Sequence, residues 1–327
     1  MRILVTGCAG MIGSHLCDAL LAKGHEVVGV DNLAIGTNAN MEVALKSKKF
    51  KFVKASVLNR KKMNALAKNA DVVVHLAAWK IPIGEMKAED TLILNSRGTE
   101  VMINAAIKAK AKFVFASTSD VYGKSDAIPF REDGNLVLGP STVQRWSYAA
   151  SKIFDEHLCL AMRKSHGIPV VILRYFNTYG PRQDISYVSG TPQGLFIDAI
   201  MTGKPITIHG TGNQTRSFTY ISDSVDCTVR AIENRKAEGE IINVGNDKTE
   251  MTIKDLAFAV KKIVEPSAKK KARIEFISFE RAFGKYEDVD RRVPDISKAK
   301  KFLGYGPKVG NIEGIKKTFE WQRQFYK

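Results

Sequence analysis

The sequence has few cysteines and no long apolar stretch, and each shortage argues against a class of protein. The four cysteines, at positions 8, 17, 159 and 227, lie far apart and form no CxxC pair, so we expect reduced thiols and no metal site. No stretch approaches the roughly 18 consecutive apolar residues that a membrane-spanning helix needs. The opening MRILVTG shows no charged leader or cleavage pattern. We therefore expect a cytoplasmic globular protein without a membrane partner.

Acidic residues are scarce relative to basic ones: 34 Asp and Glu stand against 50 Lys and Arg, which gives a formal net charge of +16 at pH 7. Such an excess raises the question of nucleic acid, because lysine and arginine neutralise phosphates. The lysines, however, form only short separated runs, without interleaved aromatic residues or a known reading motif. We interpret them as a solvated surface and expect no nucleic-acid partner.

Apolar strands and amphipathic helices alternate along the first half of the chain. Continuous β-branched runs indicate parallel strands covered on both faces, and helices between them indicate βαβ units. The predicted strands are 2–7, 25–31, 50–55, 71–78, 112–118 and 169–177, and the predicted helices include 11–24, 60–69 and 99–111. The fold class that follows is α/β, with a doubly wound parallel sheet of the Rossmann type.

The pattern loosens after residue 177, where Gly, Pro and polar residues become frequent. We therefore predict two domains, a dinucleotide-binding domain over 1–177 and a smaller C-terminal α/β domain over most of 178–327. The apolar run EIINVG at 240–245 again resembles a buried strand. A segment near 219–246 is accordingly expected to return to the first domain.

Three glycines follow the first predicted strand, in the stretch TGCAGMIGSHL. Gly7, Gly10 and Gly13 have a GxxGxxG spacing directly before a helix. A pyrophosphate needs close backbone approach, which glycine allows, and free N–H groups at a helix N-terminus. Asp31 ends the second strand, where a carboxylate can bind both hydroxyls of the adenosine ribose and repel a 2′-phosphate. These residues predict NAD in preference to NADP.

Tyr148 and Lys152 lie four residues apart within SYAASK, in a segment with helical periodicity. Side chains at i and i+4 share a helix face, so the pair alone is compatible with a solvated surface. A second interpretation is chemical, because a free tyrosine with a pKa of about 10 is only about one part in a thousand phenolate at pH 7. A nearby ammonium favours the anion. On that interpretation, Lys152 and the positive ring of NAD+ together lower the pKa of Tyr148, and Lys152 supplies part of the effect.

Motifs spread over nearly the whole chain occur here in combination. They are TGCAGMIGSHL, DNL, HLAA, STSDVYG, SYAASK, RYFNTYGPR and GTGNQTRSFTYISD. In this combination the chain resembles the extended short-chain dehydrogenase/reductases of the NAD-dependent nucleotide-sugar epimerase/dehydratase family. The resemblance implies an enzyme similar to UDP-glucose 4-epimerases and UDP-glucuronate decarboxylases. Its second domain is expected to bind a nucleotide sugar, either a UDP-hexose or a UDP-hexuronate.

The resemblance also implies catalytic roles. Tyr148 matches the base that takes a proton from a sugar hydroxyl while hydride passes to NAD+, Thr118 the hydroxyl that bonds the developing carbonyl, and Lys152 the residue that holds the ribose. Ser119 and Asp120 come next, where family decarboxylases have Ser–Glu. Whether the shorter Asp120 acts as an acid or base, or only bonds local backbone N–H groups, is left open.

Further binding residues follow from the same resemblance. A serine stands at position 56, where the family usually has an aspartate that reaches adenine. The additional cofactor residues are Met11, Ile12, Asn32, Ser56, Val57, Leu76, Ala77, Ala78, Asn95 and Tyr175, and the nucleotide diphosphate ligands are Asn177, Arg216 and Arg292.

The reaction that follows oxidation at C4 of the sugar has several outcomes. In a 4-epimerase the 4-keto sugar rotates and is reduced on its other face. We expect this activity first because it needs no additional acid or base in the site. With a C5 carboxylate the β-keto acid loses carbon dioxide, and Ser119, Asp120, RWSY and TRSF resemble that decarboxylase pattern. Loss of the C5 proton, with water leaving from C6, gives a dehydratase.

Two further expectations concern turnover and assembly. An NAD-binding regulator is the non-enzyme alternative, but such a protein is expected to lose the tyrosine or the lysine, and Thr118, Tyr148 and Lys152 are all present. The family commonly forms homodimers through two helices of each subunit. The segment 99–111 and the Tyr148 helix are the candidates here.

Overall fold

The computed structural model describes residues 1–79, 88–185 and 190–326. The strands are β1 (Arg2–Thr6), β2 (Glu26–Asp31), β3 (Phe50–Lys54), β4 (Val72–His75), β5 (Lys112–Thr118), β6 (Val170–Tyr175), β7 (Thr178–Tyr179), β8 (Ile206–His209), β9 (Thr215–Ser217), β10 (Thr219–Tyr220), β11 (Ile241–Val244), β12 (Glu250–Thr252), β13 (Ile274–Ile277) and β14 (Arg291–Arg292). The α-helices are α1 (Met11–Ala22), α2 (Glu42–Leu45), α3 (Arg60–Ala67), α4 (Ala88–Ala109), α5 (Trp146–His166), α6 (Pro192–Met201), α7 (Ile221–Glu233), α8 (Ile253–Val264), α9 (Phe279–Phe283), α10 (Ser297–Leu303) and α11 (Asn311–Gln322).

The main sheet is parallel throughout and has the strand order β3-β2-β1-β4-β5-β6-β11. The direction of winding reverses between β1 and β4, so the connections leave these two strands on opposite sides. A crevice therefore opens at the carboxyl ends of β1 and β4, the place where such sheets bind ligands. The predicted doubly wound α/β fold is confirmed.

Both faces of the sheet are covered, which explains the continuous apolar runs in the sequence. Ile3 and Val5 of β1 belong to one apolar cluster with residues of α1 and α7, whereas Leu4 belongs to a second cluster with residues of α4 and α5. Side chains alternate along a strand, so every second residue of β1 serves a different layer. A strand buried on both faces has no solvent side to hold polar residues.

Helix α4 begins at Ala88, well before the predicted start at residue 99. Its first half carries polar side chains that are nevertheless buried, including Thr91 and Asn95. Buried polar residues break the apolar periodicity on which the sequence prediction rested. The helix was therefore placed correctly but predicted too short.

The C-terminal part returns to the main sheet and also forms small sheets of its own. Strand β11 pairs with β6, and α7 packs against α1. The small sheets are β13 with β8, β10 with β7, and β9 between β12 and β14. The predicted boundary near residue 178 stays a prediction. In the described ranges, none of the helices combines the length and apolarity needed to cross a bilayer.

Candidate active site

The first cleft lies at the carboxyl ends of β1, β2 and β4, where the backbone turns closely around glycines. Gly7 has φ +71°, and a Cβ there would lie 2.9 Å from the Ala77 nitrogen. A Cβ on Gly13, inside α1, would collide with the Gly7 carbonyl oxygen. Only glycine permits this approach of turn and helix, which leaves the N–H groups at the start of α1 open to an anion. The cradle fits a pyrophosphate.

Asp31 sits beside this cradle at the end of β2. Its Oδ2 accepts a hydrogen bond from the Ala9 N–H at 3.0 Å, and its Oδ1 accepts one from the Leu33 N–H at 2.8 Å. Each carboxylate oxygen can accept more than one hydrogen bond. The backbone thus fixes the orientation of the carboxylate, and each oxygen keeps capacity for a ribose hydroxyl.

Most of the predicted cofactor residues line this cleft. They are Gly7, Gly10, Asp31, Asn32, Ser56, Val57, Leu76, Ala77, Ala78 and Asn95. Asn95 is also a structural residue, since its Oδ1 accepts from the Trp79 N–H at 2.7 Å and its Nδ2 donates to the Trp79 carbonyl at 3.1 Å. Trp79 and Ile35 line the cleft as well, although no sequence motif pointed to them.

Three predicted cofactor residues contribute differently. Met11 and Ile12, in the first turn of α1, pack their side chains against the apolar core, so their N–H groups are what they can offer to an anion. The Tyr175 side chain is buried, and its hydroxyl shares a 2.7 Å hydrogen bond with Thr228 of α7. Tyr175 is not part of the cleft lining. A cofactor role for it stays a prediction.

A second, larger pocket lies between the end of β5, the start of α5 and the C-terminal segments. Tyr148 lines it together with Asn177, Arg216 and Arg292, which the sequence also predicted. Asn177 is anchored by its Nδ2, which donates to the Ser217 carbonyl at 2.9 Å. The remaining polar and aromatic lining includes Asp120, Arg145, His209, Gln214, Phe279, Phe283, Tyr286 and Asp288.

Charged side chains form one connected network in this pocket. Asp120 pairs with Arg292 at 2.9 Å and with Arg145 at 3.5 Å, while Asp288 pairs with Arg216 at 2.8 Å and with Arg145 at 3.7 Å. Three guanidinium groups therefore share two carboxylates. The excess positive charge suits an anionic ligand.

Residues 118 to 120 connect this network to the end of β5. The Thr118 hydroxyl donates to Asp120 Oδ2 at 3.2 Å and accepts from the Asp120 N–H at 3.2 Å. Arg292 donates to the Ser119 hydroxyl at 3.4 Å. The Asp120 side chain is thus held by ion pairs with two arginines and by the Thr118 hydroxyl, whereas a bond from its carboxylate to local backbone N–H groups stays a prediction.

Arg145 was missed by the sequence analysis as a site residue, although RWSY was noted. It lies three residues before Tyr148, and its guanidinium is 4.6 Å from the ring centroid of Trp146 and 5.6 Å from that of Tyr286. These rings and both carboxylates fix its position. The i, i+3 spacing from Tyr148 is the signal that could have found it.

In the protein without bound cofactor the pKa of Tyr148 is raised, so its lowering by Lys152 together with NAD+ stays a prediction. Burial raises the pKa of Tyr148, and the carboxylates of Asp120 and Asp155 raise it further. The Lys152 ammonium donates to the Ala116 carbonyl at 2.9 Å and lies 4.6 Å from the ring centroid of Phe115. Burial lowers the pKa of Lys152. The spacing of the pair is visible in the sequence, whereas the desolvation of both groups is a property of the packed protein.

Helix α5 carries both Tyr148 and Lys152, and a buried ion pair fixes this helix to the sheet. Glu156 accepts two hydrogen bonds from Arg174 of β6, at 2.9 and 2.7 Å, and it also accepts one from the Ser117 hydroxyl of β5. All three side chains are almost inaccessible to solvent. The bidentate geometry sets the register of α5 against the strand ends.

The comparisons with known proteins agree with this geometry. The model of the NAD dependent epimerase/dehydratase family matches residues 3–245. The chain is 38% identical over 326 residues to UDP-N-acetyl-alpha-D-glucosaminuronate decarboxylase of Bacillus cytotoxicus, which covers 99% of this chain and 98% of that protein. It is 35% identical to UDP-glucuronic acid decarboxylase 1 of Danio rerio, covering 98% of this chain and 72% of that protein.

Solved structures of nucleotide-sugar epimerases are also similar to this chain. The crystal structure of UDP-glucuronic acid 4-epimerase from Bacillus cereus, in complex with UDP-glucuronic acid and NAD, has a TM-score of 0.86 at 34% identity and covers 100% of both chains. UDP-glucose 4-epimerase from Thermotoga maritima has a TM-score of 0.86 at 28% identity and also covers 100% of both chains. The predictions of an enzyme and of NAD as its cofactor are confirmed, and the chain belongs to the NAD-dependent epimerase/dehydratase family.

Proposed function

We propose that this enzyme decarboxylates a UDP-linked hexuronate through a 4-keto intermediate. The observation that carries the proposal is the position of Arg292, which bridges Ser119 and Asp120 in the pocket lined by Tyr148. Arg145 approaches the same oxygen of Asp120, at 3.5 Å. Two guanidinium groups beside the reactive end of the pocket suit a substrate carboxylate, which a neutral hexose lacks.

The proposed roles follow from these contacts. Tyr148 takes the proton from the C4 hydroxyl, the Thr118 hydroxyl bonds the forming carbonyl, and Lys152 holds the nicotinamide ribose. NAD, when bound, accepts the C4 hydride and returns it at the end of the cycle. Oxidation at C4 makes the substrate a β-keto acid, so the C5–C6 bond breaks and its electron pair enters the enolate. A proton then adds at C5.

In this proposal different arginines bind the two anionic groups of the substrate, the diphosphate and the C6 carboxylate. Arg216 is buried and held by Asp288 and by the Thr215 and Val289 carbonyls. We assign it, with Asn177, to the nucleotide diphosphate. Arg292 lies at Ser119 and Asp120 instead, so we assign it with Arg145 to the C6 carboxylate. The curated relatives that act on carboxylated sugars support this choice of substrate.

A 4-epimerase acting on the same hexuronate is the second candidate, and the ion pairs of Asp120 favour it. Decarboxylation needs an acid to protonate C5, and a carboxylate paired with two arginines is a poor proton donor. Epimerisation needs no such acid. The structural relative from Bacillus cereus is a UDP-glucuronic acid 4-epimerase.

One experiment separates these functions. The purified enzyme is incubated with NAD+ and, in separate reactions, UDP-glucuronate, UDP-N-acetylglucosaminuronate, UDP-glucose and UDP-N-acetylglucosamine, and products are followed by proton NMR. We expect carbon dioxide release and a UDP-pentose product from at least one hexuronate. A C4-epimeric hexuronate without loss of carbon would replace the proposal by the second candidate, and turnover of the neutral hexoses alone would contradict the carboxylate site.

We also propose that the enzyme is a homodimer formed through α4 and α5. These helices pack against each other, yet Leu92 on α4 is 39% exposed and Phe154 on α5 is 55% exposed. Large apolar side chains exposed on adjacent helices are typical of an interface. Phe154→Glu is expected to halve the mass measured by light scattering at micromolar concentration, whereas Phe276→Glu, at a 52% exposed position on β13, leaves it unchanged. A monomeric wild type would refute the dimer.

A further inference from the structure

Asp155 is a buried carboxylate that the roles described so far do not use. It lies on α5, three residues after Lys152, and none of its surface is accessible to solvent. Neither carboxylate oxygen has a hydrogen-bond partner of normal geometry among the described residues. An ionised carboxylate in such surroundings is costly unless a positive charge lies nearby.

Lys152 is the corresponding cation without a contacting carboxylate. It is 2% exposed, and its ammonium donates to the Ala116 carbonyl and faces the Phe115 ring. Among the described residues it forms no ion pair within contact distance. The next carboxylate along the helix, Glu156, is already neutralised by Arg174.

The other groups around Asp155 do not offer a cation. On α5 these are the Tyr148 phenol, the Glu156 carboxylate and the Cys159 thiol. On α4 the Thr99 hydroxyl faces Asp155. His75 of β4 interacts electrostatically with Lys152, but burial lowers the pKa of this histidine to about 3, so its ring is neutral. Lys152 is the positive charge that this carboxylate can serve.

We propose that Asp155 is a positioning residue that acts as the internal counter-ion of Lys152 and keeps the ammonium charged inside the buried site. The inference rests on the proposed role of Lys152. Asp155 itself touches neither pocket lining. It lies about one helical turn along α5 from the lysine and opposes the loss of charge that burial favours.

The directions of the pKa shifts of Lys152 and Asp155 agree with this counter-ion role. Burial lowers the pKa of Lys152, and Asp155 is the strongest of the neighbours that raise it again. Burial raises the pKa of Asp155 to about 6, so the carboxylate is mostly ionised at pH 7 and becomes neutral in mild acid. The support for Lys152 is therefore present above about pH 6 and lost below it.

The decisive measurement is the pKa of Lys152 in wild type and in Asp155→Asn. Lysine labelled with 13C at Cε is incorporated, the Lys152 signal is assigned with Lys152→Met, and its shift is followed against pH. We expect the pKa of Lys152 to fall by about one unit or more in Asp155→Asn. Equal values in the two proteins would refute the proposal, and this titration needs no substrate. Asp155→Ser removes the same charge should the Asn variant not fold.

Turnover gives a second, independent readout. The ratio of wild-type to Asp155→Asn activity is expected to rise from about one near pH 6 to about tenfold at the alkaline end of the profile, where only the variant has lost the ammonium charge. A purely structural role gives a ratio independent of pH. Leu160→Ala, an uncharged change at a partly buried residue further along α5, is the control and is expected to leave both the pKa of Lys152 and the pH profile unchanged. Absence of turnover on UDP-sugars would contradict the proposed function and leave the titration to decide the role of Asp155.

Discussion

Tyr148→Phe is expected to lower kcat by about a thousandfold, within the range that loss of a general acid or base usually causes. Phenylalanine keeps the aromatic ring that lines the sugar pocket but has no proton to exchange with the C4 hydroxyl. The measurement is product formation by NMR at saturating NAD+ and substrate. Affinity for NAD+, followed by calorimetry, should change little, because the ring still fills its place.

Tyr305→Phe is the matched control. It removes another buried hydroxyl, which donates to the Gly245 carbonyl at 2.9 Å, but Tyr305 lines neither pocket. We expect its turnover within about threefold of wild type, since only one neutral hydrogen bond is lost. Wild-type turnover in Tyr148→Phe would remove the base from the proposed mechanism.

Glu156→Gln is expected to lower the free energy of unfolding by about 3–5 kcal/mol, the usual cost of leaving one member of a buried ion pair without its partner. The side chains of Glu156 and Arg174 are only 4% and 3% exposed. Glutamine keeps the size but not the charge, so the Arg174 guanidinium remains buried and uncompensated. Urea unfolding followed by circular dichroism measures the change.

An exposed ion pair supplies the control for this prediction. Arg131 and Asp133 contact at 3.1 Å, yet their side chains are 64% and 69% exposed. Water screens such a pair, so Arg131→Gln should leave the free energy of unfolding almost unchanged. Equal effects of Glu156→Gln and Arg131→Gln would show that the buried pair does not hold α5 on the sheet.

The local patterns were sufficient for the sheet and the cofactor cradle. Most strands of the sheet are buried on both sides and have continuous apolar runs, and β1 to β6 were predicted at their observed places, including the partly exposed edge strand β3. Gly13 is required by its contact with the backbone of Gly7 and Cys8, and Gly7 by its own positive φ. A requirement met so close along the chain leaves a clear signal in the sequence.

Arg145 and the state of Tyr148 could not be predicted in the same way. The ion-pair network joins Asp120 and Arg145 to Asp288 and Arg292, which lie far away along the chain. Likewise, the pKa of Tyr148 depends first on burial, which is a property of the packed protein. The spacing of Tyr148 and Lys152 shows that they share a helix face, but not that the ammonium bonds the Ala116 carbonyl.

The sequence by itself determined the α/β class, the succession of strands and helices along the first half of the chain, the glycine cradle and the preference for NAD. Periodicity and backbone sterics act over short distances, so they can be recognised in the sequence. Tertiary structure alone decided which arginines face Tyr148, where Lys152 directs its charge and that Asp155 is buried beside it. Charges interact through space and desolvation depends on everything packed around a group. Their balance in the active site is therefore set by the fold as a whole.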